Sequence, residues 1–417
     1  MSAKRKIKVF KRKISVVCFI VHTAFNFNER RPGCKFNFAQ VQGFLAFLHF
    51  FLAPVEPFFA LIFFVCMILD SFSVDTTYKY AFFKTILDNL FNVDLQNYSL
   101  AYDTISLRYT EIYWNLVLKF RLKQMATSER AAMTAVERKL FAFCDKYGFD
   151  YSAKKAIFPF ESLRSDLQLE INRQIKTEML KYVIGAFYGD TEGQLYSFSK
   201  ADGRIRFNPD SYAACVKYKS DFEKINYYEW IKYLEKVNTE EDSYALANKL
   251  DESTERSDLT AYRTALQRFG QVTCFYCHKP LPLGIGAATP VDHCIPWSFV
   301  KDDKIWNFVL ACPACNSAKS NILPVESYIE EIKQRNLRLQ NMDLRLIHDD
   351  FKSYSHSKLQ EMYKSAVFNG FQYGWKPKTM AKTVRYKIGD VRYLQVAASG
   401  NNHSGNDHSW NDHSWND

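Results

Sequence analysis

Apolar residues recur at helical spacing through most of the middle of the chain. Ile105, Tyr109, Ile112 and Leu116 mark one face of a helix that opens near the cap signals Asp103-Thr104. Leu167, Ile171, Ile175 and Met179 mark a second. The period then shortens. Leu195-Tyr196-Ser197-Phe198 and Arg204-Ile205-Arg206-Phe207, joined across Lys200-Ala201-Asp202-Gly203, predict a hairpin. Helical pattern resumes at Asp210 and continues past Tyr228. The charged stretch Asn238–Ser257 reads as a linker, and a last helix, from about Asp258 to Phe269, stops at Gly270. These stripes are core faces, and together they predict a mainly α protein with a small α+β module.

The two ends differ from this middle. Residues 1–66 carry ten Lys/Arg against Glu29 and Glu56, so they hold +8 of the formal +10 of the chain. With the rest nearly neutral, any footprint for a polyanion has to be local. Phe44–Leu69 is long enough to span a bilayer, but Pro54, Glu56 and Pro57 sit at its centre, where a charge and two helix breakers are costly. Residues 1–66 are thus a poor membrane anchor, an export signal with no evident cleavage site, or an extension upstream of a start at Met67. The last is favoured, and a cytoplasmic location with it. At the other end, Asn406–Trp410 repeats as Asn411–Trp415, so 396–417 reads as a disordered polar tail rather than a metal-binding His tract.

Ten cysteines on a chain of 417 residues are not needed as disulfide staples, and six of them form no framework. The other four form two CxxC pairs, Cys274-Cys277 and Cys312-Cys315, which bracket Asp292-His293 and end on Asn316. Four thiolates on two tight knuckles can close a tetrahedral Zn2+ site without water, which makes such a site structural. Cys274–His278 also matches the CxxCH pattern of haem attachment, although haem would leave the second pair and Asp292-His293 unexplained. Cys294 reads as a small core residue and His278 as a solvent-facing knuckle residue. Cleaving a phosphodiester needs an activated water and a counter-charge for the phosphate, and an imidazole with a divalent cation can supply them. In a strand, Asp292 and His293 point to opposite faces, so one could address a metal and the other a water.

The residues Val291-Asp292-His293-Cys294-Ile295-Pro296-Trp297-Ser298, then Asn307-Phe308-Val309-Leu310, then Cys315-Asn316-Ser317-Ala318-Lys319, resemble the HNH nucleases. The resemblance implies a ββα-metal core. It implies His293 as general base, Asp292 and Asn316 as ligands of Mg2+ or Mn2+, and Asn307 as the residue that orients the base-bearing loop. Ending on Asn, the motif is an HNN variant that still offers an oxygen to a hard cation. Val291–Lys319 is also similar to the HNH domain of RNA-guided CRISPR nucleases, including Pro296, Ser298 and Lys301-Asp302-Asp303. That likeness stops at the module and gives no ground for RNA guidance. The preceding segment, with Tyr78–Lys84 and Tyr113–Val117, is similar to that of bacterial proteins carrying an HNH endonuclease domain.

Lys319, one turn beyond Asn316, is placed either at a phosphate or in solvent. The strongest basic patch is Trp375–Arg392, where Lys376, Lys378, Lys382, Arg385 and Lys387 alternate with aromatics as backbone contact and stacking require. Lys333, Arg335, Arg338 and Arg345 form a second candidate. The expected organisation is the extension 1–66, a helical domain 67–255, a zinc-stapled HNH domain 256–325, a helical basic region 326–395 and the tail. The expected activity is metal-dependent hydrolysis of nucleic acid, most directly DNA, and restriction or defence suits the resemblance. A zinc-dependent protein that binds nucleic acid without cutting is the alternative. A homodimer is also in view, and a membrane partner is not favoured.

Overall fold

The computed structural model describes residues 76–126, 133–151, 157–254, 258–282 and 289–378. The extension 1–66 with its apolar stretch, the tail, and Lys382, Arg385 and Lys387 lie outside them. Every described residue belongs to one compact unit. Among the described residues no helix is long and apolar enough to cross a membrane.

The first half is a helical layer around one short sheet. Helix α1 (Tyr78–Asp88) is buried along nearly its whole length, and strand β1 (Ser99–Ala101) leads into α2 (Tyr102–Trp114). Ile105, Tyr109 and Ile112 of α2 are buried as their spacing predicts. The helix starts at Tyr102, which leaves Asp103 in the first turn, where its charge complements the helix dipole. It ends in a π turn, Asn115–Lys119, that carries buried Leu116. Helix α3 (Ala135–Tyr147) opens on a capping box between Thr134 and Glu137 and closes on left-handed Gly148. Helix α4 (Ser165–Tyr182) buries Leu167, Ile171, Ile175 and Met179, and its Asn172 accepts a hydrogen bond from Thr110 of α2 at 3.1 Å. Short α5 (Ile184–Asp190) follows.

The hairpin forms between β2 (Tyr196–Ser199) and β3 (Arg204–Phe207), with Tyr196 opposite Phe207. Strand β1 joins it, so the order is β1-β3-β2. The long helical pattern from Asp210 is two helices, α6 (Pro209–Lys217) and α7 (Lys219–Val237), broken at Tyr218. The stretch read as a linker contains α8 (Leu246–Asp251), because Leu246 and Leu250 are buried. Helix α9 (Thr260–Arg268) stops before Gly270, whose φ of +96° suits a residue without Cβ.

The rest of the chain packs around an antiparallel pair, β4 (Val291–His293) and β5 (Phe308–Leu310), linked through one-turn α10 (Trp297–Val300). Helix α11 (Pro313–Lys319) follows β5, then α12 (Glu326–Leu339), α13 (Arg345–Phe351) and α14 (Lys358–Phe368). The helical layer meets this module directly. Phe91 packs on Phe299 at 5.2 Å between ring centres, Arg108 of α2 donates to the Lys301 carbonyl at 2.7 Å, and Lys301 pairs with Asp251 at 3.0 Å. Beside this seam the Lys84–Asp88 pair is buried. Burial pushes the Asp88 carboxyl up, but Lys84, Arg108, Lys219 and Lys301 outweigh it and hold it below its usual range.

Candidate active site

The first knuckle is a tight turn in which Cys274 N–H donates to Lys279 O at 2.8 Å and His278 N–H to Cys274 O at 2.9 Å. His278 adopts φ +61° and is exposed. The second knuckle is the start of α11, with Cys312 as N-cap and Pro313 in the first turn. The four thiols lie within 4.8 Å of one another, and Cys277 Sγ is 3.7 Å from Cys312 Sγ. Four sulfurs at the vertices of a tetrahedron with bonds of about 2.3 Å stand roughly 3.8 Å apart, so the set could hold one metal ion. Both cysteines of the CxxCH pattern are part of this cluster, which accounts for them without haem. Cys294 is outside it. Burial pushes its thiol up to about 12, as suits a small core side chain.

The knuckles are tied to the strands. Phe275 N–H donates to Leu310 O at 2.9 Å, and in β4–β5 Asp292 stands opposite Val309 and His293 opposite Phe308. As strand geometry requires, the two side chains part. The Asp292 carboxylate accepts from Tyr276 Oη at 2.6 Å and pairs with Lys319 at 3.1 Å. His293 Nε2 lies 2.7 Å from Asp303 Oδ1, and its ring meets Phe308 edge-on at 4.5 Å. Asn307 grips the turn after the imidazole from both sides: Oδ1 accepts from Ile295 N–H and Nδ2 donates to Ile295 O, each at 2.9 Å. Asn316 is half-buried in the middle of α11, and the N-cap position of that helix belongs to Cys312.

Two basic residues differ from expectation. Lys319, expected at a phosphate or in solvent, is fully buried, and its Nζ donates to His293 O at 2.7 Å while pairing with Asp292. An ammonium in a closed interior needs such partners. Arg335, assigned to the second basic patch, is also buried, and its guanidinium donates to the carbonyls of Ile305, Trp306 and Phe308. It braces the strand that faces the site. Lys376 and Lys378 are exposed and directly follow Trp375, which packs edge-on against Tyr276 at 5.0 Å and exchanges backbone hydrogen bonds with Leu323 and Val325. The start of the basic segment is thereby anchored beside Tyr276 and, through it, Asp292. Tyr276 and Asp303 are the site residues whose roles the sequence left unread, and it offers Arg335 only as a nucleic-acid contact. Only Tyr276 carried a local signal, its place inside a knuckle.

Asp350 of α13 supports the turn that carries Asn307. Its carboxylate accepts from Ile305 N–H at 2.7 Å, lies 3.6 Å from Lys304, and its backbone carbonyl accepts from Trp306 Nε1 at 3.1 Å. Burial, aided by Asp302 and opposed by Lys304, pushes this carboxyl up to about 6. A raised carboxyl contributes stability below its unfolded value near 4 and loses it as pH rises through about 6. Between pH 4 and 7 the stability of wild type relative to Asp350→Asn should therefore fall by about 2 kcal/mol. Paired denaturant titrations at the two pH values measure it, and a constant difference would show that Asp350 titrates normally.

Asp292 and His293 thus lie on β4, Asn307 directly precedes β5, Asn316 lies on α11, and the four cysteines cluster at the two knuckles. No curated protein and no solved structure matches the chain. Residues 274–325, from the first knuckle to the residue before α12, match the family of HNH endonucleases.

Proposed function

We propose that the protein is a metal-dependent endonuclease that hydrolyses phosphodiester bonds in nucleic acid, most directly DNA, and that it serves restriction or defence inside the cell. The observation that carries this reading is the division of labour on β4. Asp292 and His293 share one strand but face different partners, within a segment bounded by the four-cysteine cluster.

Zn2+ suits the four thiolates as a closed structural ion. A hard cation, Mg2+ or Mn2+, suits Asp292 and Asn316. Tyr276 and Lys319 engage Asp292 Oδ2, whereas Oδ1 has only a long contact of 3.4 Å to Lys319 and keeps capacity for a ligand. When bound, the ion supplies counter-charge to the phosphate and to the leaving oxygen. His293 accepts a proton from the water that attacks phosphorus, a P–O bond forms from that water, and the P–O bond to the leaving oxygen breaks. Asn307 keeps the imidazole in place through its double hold on Ile295. Lys376, Lys378 and the basic residues after them bind the phosphodiester backbone by charge.

Plasmid nicking by the full chain, with and without Mg2+ or Mn2+, tests the reading, and cutting that requires the cation is the expected result. The second reading, a zinc-dependent protein that binds nucleic acid without cutting, draws on the low exposure of Asp292 and His293, 7% and 4%. Folded, zinc-loaded protein that binds plasmid but leaves it intact would decide for that second reading.

A further inference from the structure

The geometry points to Asp303 as the positioning residue for His293, holding the imidazole in the tautomer that can accept a proton from water. The proposal rests on His293 being the base. Asp303 Oδ1 lies 2.7 Å from His293 Nε2. An ionised carboxylate can only accept, so the neutral ring carries its hydrogen on Nε2 and leaves the Nδ1 lone pair unprotonated. The ring plane is set as well, because the Phe308 edge contact at 4.5 Å leaves the imidazole little freedom to rotate.

Asp303 is itself held from two directions. Its backbone carbonyl accepts from Tyr262 Oη of α9 at 3.1 Å. Two residues earlier, the Lys301 carbonyl accepts from Arg108 of α2 at 2.7 Å, and Lys301 adopts φ +53°, which turns the chain sharply out of α10. The His293 and Asp303 side chains are 4% and 13% exposed, so little water competes for the hydrogen bond between them. The helical layer therefore takes part in the site: through Arg108 it holds the loop that presents Asp303. A function follows for Asp303, which the resemblance names only as part of a likeness.

In the cleavage step the attacking water gives its proton to Nδ1. Its oxygen bonds to phosphorus, and the leaving oxygen departs with the electrons of the broken P–O bond and is protonated by solvent. The imidazolium then has hydrogens on both nitrogens, and the one on Nε2 points at the Asp303 carboxylate, which stabilises the cation as it forms. An amide in place of the carboxylate can donate to Nε2 and so favours the opposite tautomer, which has no lone pair on Nδ1. In a serine protease the equivalent Asp→Asn change lowers kcat by about 10⁴-fold for this reason.

The test uses the full chain with Asp303→Asn, Asp303→Ala and Asp303→Glu, each checked for an unchanged melting transition. Nitrogen-15 spectra of labelled histidine, with His293→Ala to assign the signal, read the tautomer directly. Wild type should show hydrogen on Nε2 and a bare Nδ1, and Asp303→Asn should lose that signature while Asp303→Glu keeps it. In nicking assays kcat should fall on the order of 10²-fold or more for Asn and Ala with KM little changed, and Glu should recover part of it. An unaltered His293 tautomer in Asp303→Asn, or a loss confined to KM, would overturn the proposal. Wild type that shows the tautomer but cuts nothing would defeat the nuclease reading and the proposed role with it, leaving Asp303 a structural partner.

Discussion

Stripping the metal from the four-cysteine cluster should unfold the β4–β5 ribbon and α11 together. A tetrahedral thiolate site of this kind contributes about 10–16 kcal/mol in isolated zinc modules, as much as or more than the roughly 5–15 kcal/mol that holds a whole domain folded. Two contacts explain why the loss would spread. Phe275, inside the first knuckle, donates to Leu310 of β5, and the second knuckle starts the helix that bears Asn316 and Lys319. Four crowded thiols without a metal would leave both knuckles with little to close them. Elemental analysis should find one zinc per chain. A strong chelator, or Cys315→Ser, should remove it together with near-ultraviolet dichroism and nicking activity, while helical dichroism from the first half of the chain largely survives. Retention of the melting temperature after complete removal of the metal would show that the cluster is not structural.

His293→Ala should cost between about 10² and 10⁴ in kcat, the range for losing a general base, with plasmid binding retained. Binding is expected to survive because the basic segment is anchored through Trp375 on Tyr276, Leu323 and Val325, and not through the imidazole. Truncation also removes the ring that packs on Phe308 and the partner of Asp303, so a modest loss of stability should accompany it. Melting curves and band-shift titrations separate the two effects. A variant that folds, binds and cuts like wild type would exclude His293 as the base. One that folds but no longer binds would place His293 at the nucleic acid rather than at the water.

These effects depend on contacts of different range, and the range of a contact also decides whether the amino-acid sequence makes it legible. The faces of α2 and α4 are legible because a period of 3.6 residues is written into a dozen consecutive positions. The β2–β3 hairpin and the stop at Gly270 are legible for a related reason: turn chemistry is local. Strand β1 is not, since three residues carry no usable period and Ser99–Ala101 is a strand only because Arg204–Arg206 lies beside it. The break at Tyr218 is hidden by apolar spacing that runs across it. Helix α8 is hidden by the charges around Leu246 and Leu250, two residues whose burial is supplied by the rest of the fold.

In the site the same division holds. The chemical inventory follows from the chain alone: four thiols in two knuckles, an Asp-His pair on a strand, and Asn307 and Asn316 between and beyond them, all within the segment that matches the HNH endonucleases. Short-range geometry suffices for these, because a knuckle and a strand each set their side-chain directions within a few residues. Which charges are buried partners and which are exposed is settled only by contacts between distant segments. Lys319 and Asp292 are 27 positions apart, Arg335 and Phe308 also 27, and Arg108 and Lys301 are 193 apart. Nothing along the chain distinguishes a lysine that will close over Asp292 from one that will face solvent. The difference is made when packing removes water from one ammonium and leaves it around the other, because a charge without water is tolerable only where the fold has placed an opposite charge or a carbonyl against it.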